Sequence, residues 1–202
     1  MKTFYVFLSV FLTATILVVG IGSYIFITEN ERGGYLSQES LNALNIPPPS
    51  IRIVNASNTI YVNGSSDVVV EFSPSMGMAG NSTSEYFVMY GLVNPVIIAK
   101  QGITIRFVLV NMDDMEHNFV ITARGPPYSY MAMMGGSGMS YGSSIMGSSF
   151  LTPYTGNGEY PYENSTFTFN EQGNYWYICT YPGHAQEGMY GQFIVSSLIL
   201  IF

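Results

Sequence analysis

NYWYICTYPGHAQEGMYGQ, residues Asn174 to Gln192, joins two patterns that decide the fold. Its first part, Asn174 to Cys179, is aromatic and β-branched, which is the composition of a strand. Pro182-Gly183 then signals a turn that brings the chain back. Cys179, His184 and Met189 are spaced C-x4-H-x4-M, so a thiol, an imidazole and a thioether share one short loop beside a rigid strand end. The chain has a single cysteine and two histidines. The other histidine, His117, opens an apolar alternating run, HNFVITA, that also reads as a strand.

Taken singly, each residue has an ordinary reading. A lone cysteine is usually a small buried hydrophobe, a methionine near aromatics usually packs, and a strand histidine is usually a satisfied core or surface group. Their joint occurrence is hard to explain as packing. Two histidines, one cysteine and a nearby thioether match the donor set of a mononuclear blue copper centre, a trigonal His2Cys group with a weak axial methionine. The candidate metal residues are therefore His117, Cys179, His184 and Met189, holding one type 1 copper per chain. Soft sulfur favours Cu(I), and a flattened tetragonal set favours Cu(II). A constrained compromise between them needs little rearrangement when an electron moves.

CTYPGHAQEGMYG, together with the upstream His117-Asn118 pair, resembles the copper loop of the cupredoxin family, its sulfocyanin and rusticyanin branch most. The resemblance covers roughly residues 103–195 and implies a cupredoxin-like Greek-key β-sandwich. It implies equatorial roles for His117, Cys179 and His184 and an axial role for Met189, with Asn118 tying the two ligand loops together. It also implies an electron carrier, not an enzyme, that exchanges electrons with an upstream donor and a respiratory terminal oxidase in an acidophile's respiratory chain.

Outward from this loop, short apolar runs follow one another from Ser50 onward. They are IRIVN, TIYVN, DVVVEF, EYFVMYGLV, PVIIA, ITIRFVLVN, HNFVITA, STFTFN, NYWYIC and QFIVSSLILI, separated by Gly, Pro, Asn and Ser. Runs of this length and composition argue for an all-β sandwich, and none of them has a helical period. Residues 51–202 are read as one domain, with Ile103, Ile105, Phe107 and Leu109 facing inward together. The segment from Gly125 to Gly158 is the exception. It carries Met131, Met133, Met134, Met139 and Met146 and is longer than an ordinary loop. It is open to three readings: a docking or shielding surface, a second Cu(I) site, or a mobile lid.

Residues 1–28 contain an uncharged run from Thr3 to Thr28. As a helix, residues 4–27 would extend roughly 36 Å against a hydrocarbon core of about 30 Å. This predicts an N-terminal transmembrane helix and not a cleaved signal peptide, whose apolar region is shorter. Lys2 precedes the span and Glu29 and Glu31 follow it, which places the cupredoxin domain on the outer face of a single-pass cell-membrane protein. Residues 29–50, with Pro47 to Pro49 at their end, read either as a linker or stalk, with one short helix at Leu36, Leu41 and Leu44, or as an extension packed on the domain.

Charged residues make up only 9% of the chain and the net charge is −7. Nucleic acid is an unsuitable partner for such a surface. Sequons begin at Asn55, Asn63, Asn81 and Asn164, and would be glycan acceptors in an exported protein. Two histidines are too few for a multicopper oxidase, and one cysteine is too few for a binuclear copper site. The alternatives that stay open are a copper-binding subunit of a larger oxidase complex and a metal-free cell-surface β-domain. Asp113, Asp114 and Glu116 read as a solvated turn before His117. The turn at Pro182-Gly183 predicts that His184 approaches the surface more closely than His117, inside an uncharged docking patch of Pro182, Ala185 and Met189.

Overall fold

The computed structural model describes residues 33–73, 85–132 and 144–197. Residues 4–27, expected as a membrane helix, lie outside that set, as do Asn81, Met133, Met134 and Met139. Among the described residues no helix is long and apolar enough to cross a membrane.

In chain order the strands are β1 (Gly34–Ser37), β2 (Ile51–Val54), β3 (Thr59–Val62), β4 (Ser66–Ser73), β5 (Tyr86–Met89), β6 (Leu92–Val93) and β7 (Val96–Lys100). They continue with β8 (Thr104–Asn111), β9 (Val120–Thr122), β10 (Ser144–Gly147), β11 (Glu159–Thr168), β12 (Gly173–Ile178) and β13 (Tyr190–Ser196). One sheet has the order β1-β11-β8-β4-β5-β6, the other β10-β9-β12-β13-β7-β3-β2. Most pairs are antiparallel; β4 with β8, β3 with β7 and β7 with β13 run parallel. The all-β sandwich read from the alternating runs is the architecture observed.

Between the sheets, Phe72, Phe87, Phe107, Phe119, Tyr177 and Phe193 are fully buried and meet mostly edge to face or tilted. Such pairs add to the area term because ring edges carry positive and ring faces negative partial charge. Ile103, Ile105, Phe107 and Leu109 belong to this core, as the alternation predicts. Tyr177 stacks on Phe119 with its hydroxyl donating to the Pro95 carbonyl at 2.6 Å. It fits because residue 191, opposite it on β13, is glycine: a Cβ there would collide with the Tyr177 phenol.

The other face of β8 is buried as well, which alternation alone does not predict. Val69, Val108 and Val110 pack against Leu41 and Tyr160, with Leu36 and Leu44 at the margin. Leu41 lies on a short helix, α1 (Gln38–Leu44), whose N-cap Ser37 accepts from the Ser40 amide. β1 pairs in register with β11, Gly34 opposite Tyr162. For residues 34–50 the stalk is therefore corrected in favour of the packed extension. An apolar outer face on β4 and β8 leaves area to be covered, and Leu36, Leu41 and Leu44 supply a matching apolar side.

Candidate metal centre

Strand register brings the candidate residues together. β12 lies between β9 and β13, with Ile178 opposite both Val120 and Tyr190. Cys179 follows Ile178, Met189 precedes Tyr190 and His117 stands three residues before Val120, so all three come to the same end of adjacent strands. His184 opens a single helical turn, α2 (His184–Glu187), bounded by Gly183 and Gly188 at φ of 91° and 117°. Side chains other than glycine are strained at these angles, which is why this tight a return needs glycine at both ends.

The inner atoms converge. Cys179 Sγ lies 3.5 Å from His184 Nδ1 and 3.8 Å from His117 Nδ1, and the two Nδ1 atoms are 3.2 Å apart. Donors bound about 2.0–2.3 Å from one ion stand about 3.3–3.7 Å apart in tetrahedral to trigonal arrangements, close to the edges of this triangle. Met189 is fully buried in the same core cluster as Cys179. Its amide donates to the His184 carbonyl at 2.9 Å, and its carbonyl accepts from the Cys179 amide at 3.2 Å. Asn118 Oδ1 accepts from the Thr180 amide at 2.8 Å, tying the His117 loop to the Cys179 loop as the family resemblance implies.

Each imidazole has a carboxylate behind it. His117 Nε2 meets Asp113 Oδ2 at 2.9 Å, and His184 Nε2 lies 3.8 Å from Glu85 Oε2. An ionised carboxylate only accepts, so a neutral His117 ring hydrogen-bonded to Asp113 keeps its proton on Nε2 and points a lone pair inward, whereas the separation of His184 from Glu85 is too long for a hydrogen bond. His117 Nδ1 and His184 Nδ1 stand 3.2 Å apart, close enough for both nitrogens to bind one cation. The donor set and its outer partners therefore fit a soft metal ion. Burial acts on both kinds of donor. It pushes the Cys179 thiol up to about 11, against the pull of the Asn118 and Tyr181 backbone amides. It pulls His184 down to about 4, helped by His117, and lowers His117 despite Asp113.

Residues 93–196, just over half of the chain, match the family described as copper binding proteins, plastocyanin/azurin family. The chain belongs to this plastocyanin/azurin family of copper-binding proteins. Rusticyanin from Acidithiobacillus ferridurans is 30% identical over 111 residues, 54% of each chain. Rusticyanin from Acidithiobacillus ferrooxidans is 31% identical over 112 residues, covering 54% of this chain and 66% of that one. The chain thus spans about half to two thirds of the length of these relatives. Among solved structures, rusticyanin from Thiobacillus ferrooxidans at 1.27 Å superposes with a TM-score of 0.66 and 24% identity, covering 82% of this chain and 97% of that one. Reduced rusticyanin at 1.9 Å gives 0.64 and 24%, with 82% and 100% covered. At that identity the likeness speaks to the fold. A His117-Cys179-His184 cluster with Met189 beside it is consistent with one type 1 copper of this plastocyanin/azurin family.

Two sequence expectations change. His184 is 4% exposed and His117 is fully enclosed, the order predicted, but Ala185 and Met189 are buried and form no surface patch. The segment Tyr128–Ala132 covers that turn: Ala132 and Tyr128 share a cluster with Ala185, and the Gly183 amide donates to the Tyr130 carbonyl at 2.7 Å. Exposed apolar side chains at this end are Tyr130, Met131 and Phe150, the last edge-on to Tyr181, whose ring lies over His184. Of the methionines in the segment from Gly125 to Gly158, Met131 is exposed and Met146 is buried in the core. The acidic turn is likewise not wholly solvated. Asp114 and Glu116 are exposed, but Asp113 is 4% exposed. The sequence signal that could have singled it out is its place four residues before a candidate ligand, inside a turn.

Proposed function

We propose that the protein is an electron carrier in which His117, Cys179, His184 and Met189 hold one copper. The observation that carries this reading is the enclosed triangle of one thiol and two inward-facing imidazole nitrogens. When bound, copper supplies a one-electron Cu(I)/Cu(II) couple. The rest is the chain's contribution. Strand ends and Asn118 fix the donors so that little moves. The aromatic core and Tyr181 keep water from the site. Burial keeps His184 neutral at pH values where a free imidazole would be charged, and the Cys179 thiol must give up its proton for sulfur to bind. The test is a visible spectrum of the chain loaded with Cu(II). An intense charge-transfer band that disappears in Cys179→Ser supports the assignment, whereas stoichiometric binding without such a band refutes it.

The finer reading is also a proposal. Electrons leave at His184, the less enclosed imidazole, through Tyr181 and an exposed rim of Tyr130, Met131 and Phe150. A weakly charged apolar rim suits brief encounters more than tight complexes. A terminal oxidase as acceptor, an upstream donor and a location on the outer face of a cell membrane rest on the family resemblance and on the uncharged run at residues 4–27. Phe150→Glu should slow electron transfer to the acceptor while leaving the copper spectrum unchanged. An unchanged rate would move the exit elsewhere. A mature N-terminus found beyond about residue 25 would replace the anchor with a cleaved signal peptide.

A further inference from the structure

We infer that Asp113 is a positioning residue of the copper centre: it fixes the His117 ring with Nδ1 inward and sets a carboxylate behind that imidazole. The inference rests on the proposed ligation of copper by His117. His117 is wholly buried, with Nδ1 facing Cys179 and His184 and Nε2 facing Asp113 Oδ2 at 2.9 Å. Asp113 is itself held on every side. Its Oδ1 accepts from the Asp114 amide at 2.7 Å, its own amide donates to Asn111 Oδ1 at 3.0 Å, and its carbonyl accepts from the Tyr154 amide at 2.7 Å. Asn111 is fully buried and donates to the Met115 and Thr152 carbonyls, so the whole turn is clamped to the end of β8. An Asp side chain needed only to close the turn would be satisfied by the Asp114 amide. The second oxygen is aimed at the imidazole.

Two consequences follow from ordinary chemistry. An acceptor at Nε2 keeps the proton there and leaves Nδ1 free to bind a metal, the arrangement by which carboxylates orient metal-ligating histidines. A carboxylate also adds a charge that a neutral acceptor would not, and negative charge close to a metal favours its more oxidised form. Orientation and charge are separable. Asparagine at 113 retains an oxygen acceptor and loses the charge, whereas alanine loses both.

The test uses the 202-residue chain in detergent with Asp113→Asn, Asp113→Ala and, as a surface-charge control, Asp114→Asn. In the metal-free protein, nitrogen NMR of His117 should report the Nε2–H tautomer in wild type and D113N and a mixture in D113A. With copper, D113A should bind 10–100-fold more weakly, the usual loss when such a partner is removed. D113N should bind Cu(I) nearly as tightly as wild type and Cu(II) more weakly, which raises the reduction potential. A tenfold fall in the Cu(II)-to-Cu(I) affinity ratio reads as a rise of about 59 mV, and D114N should rise by less. The inference is overturned if D113A keeps the wild-type tautomer, or if D113N has the potential of wild type or shifts no more than D114N. Should D113A fail to fold, the tautomer and potential of D113N still decide. If wild type binds no copper, the proposed function fails, while the tautomer measurement still judges the positioning role.

Discussion

Removing the metal should make the fold acid-sensitive, and the size of the effect follows from the burial of one imidazole. His184 is 4% exposed, and its pKa is lowered from 6.5 to about 4, first by desolvation and then by His117. The folded state therefore holds fewer protons than the unfolded state between these values. Stability rises with pH across that window, is complete above about 6.5, and is lost as pH falls towards about 4. A displacement of about 2.5 units at about 1.36 kcal/mol each gives about 3 kcal/mol, a large share of a typical domain's stability. His117, also lowered by burial, acts in the same direction, while Glu85, raised by burial, acts in the opposite one. The contribution of His184 is isolated by comparing metal-free wild type with metal-free His184→Gln in urea unfolding at pH 7, 5.5 and 4. The single tryptophan, Trp176, serves as the fluorescent reporter. Wild type should lose about 3 kcal/mol more than the variant over this range, and copper should flatten its curve by binding only the folded state. Parallel pH profiles for the two metal-free proteins would refute the argument. The same shift helps the holoprotein in acid. At pH 2 protons oppose a free imidazole by about 4.5 units, roughly 6 kcal/mol, but oppose His184 by about 2 units, roughly 3 kcal/mol.

Gly191→Ala should destabilise the domain by about 2–4 kcal/mol in urea unfolding, because the added Cβ displaces the Tyr177 phenol and breaks its bond to Pro95. Adding Tyr177→Phe should recover part of that loss. Leu41→Ala should cost about 2–4 kcal/mol if α1 covers β4 and β8 as observed, and almost nothing if residues 34–50 were a free stalk. Ala185→Glu should lower the thermal midpoint by several degrees by burying a carboxylate among Ala132, Tyr128 and Val120; an unchanged midpoint would return Ala185 to the surface.

Much of the fold and of the site is legible in the chain. The alternation of Ile103, just before β8, with Ile105, Phe107 and Leu109 names the inner face of that strand without reference to any neighbour, because strand geometry alone sends alternate side chains to one side. The rarity of cysteine and histidine makes Cys179, His184 and His117 conspicuous, and the fixed spacing of C-x4-H-x4-M keeps three donors within one loop's reach. Strand β10 is harder to read. It lies in a Gly-, Ser- and Met-rich segment with no period of two, and its pairing with β9 supplies the order that its composition does not.

What the sequence determined is thus the local and the periodic: which alternating runs are strands, which side of β8 faces inward, and which residues have the chemistry to bind copper. What only the tertiary structure decided is which surfaces meet. Val108 and Val110 face away from the main core and are buried because Leu41 of α1 and Tyr160 of β11, both distant in the chain, pack over them. Ala185 sits on the turn α2, whose sequence suggests exposure, and Tyr128 to Ala132 cover it. Asp113 belongs to an acidic run that reads as solvated, and its carboxylate is carried to His117 by the clamp of Asn111 on Thr152. In each case burial is a property of a pair of segments far apart in the chain. Solvation, charge and the orientation of a ligand are set by what the second segment brings, which no local pattern contains.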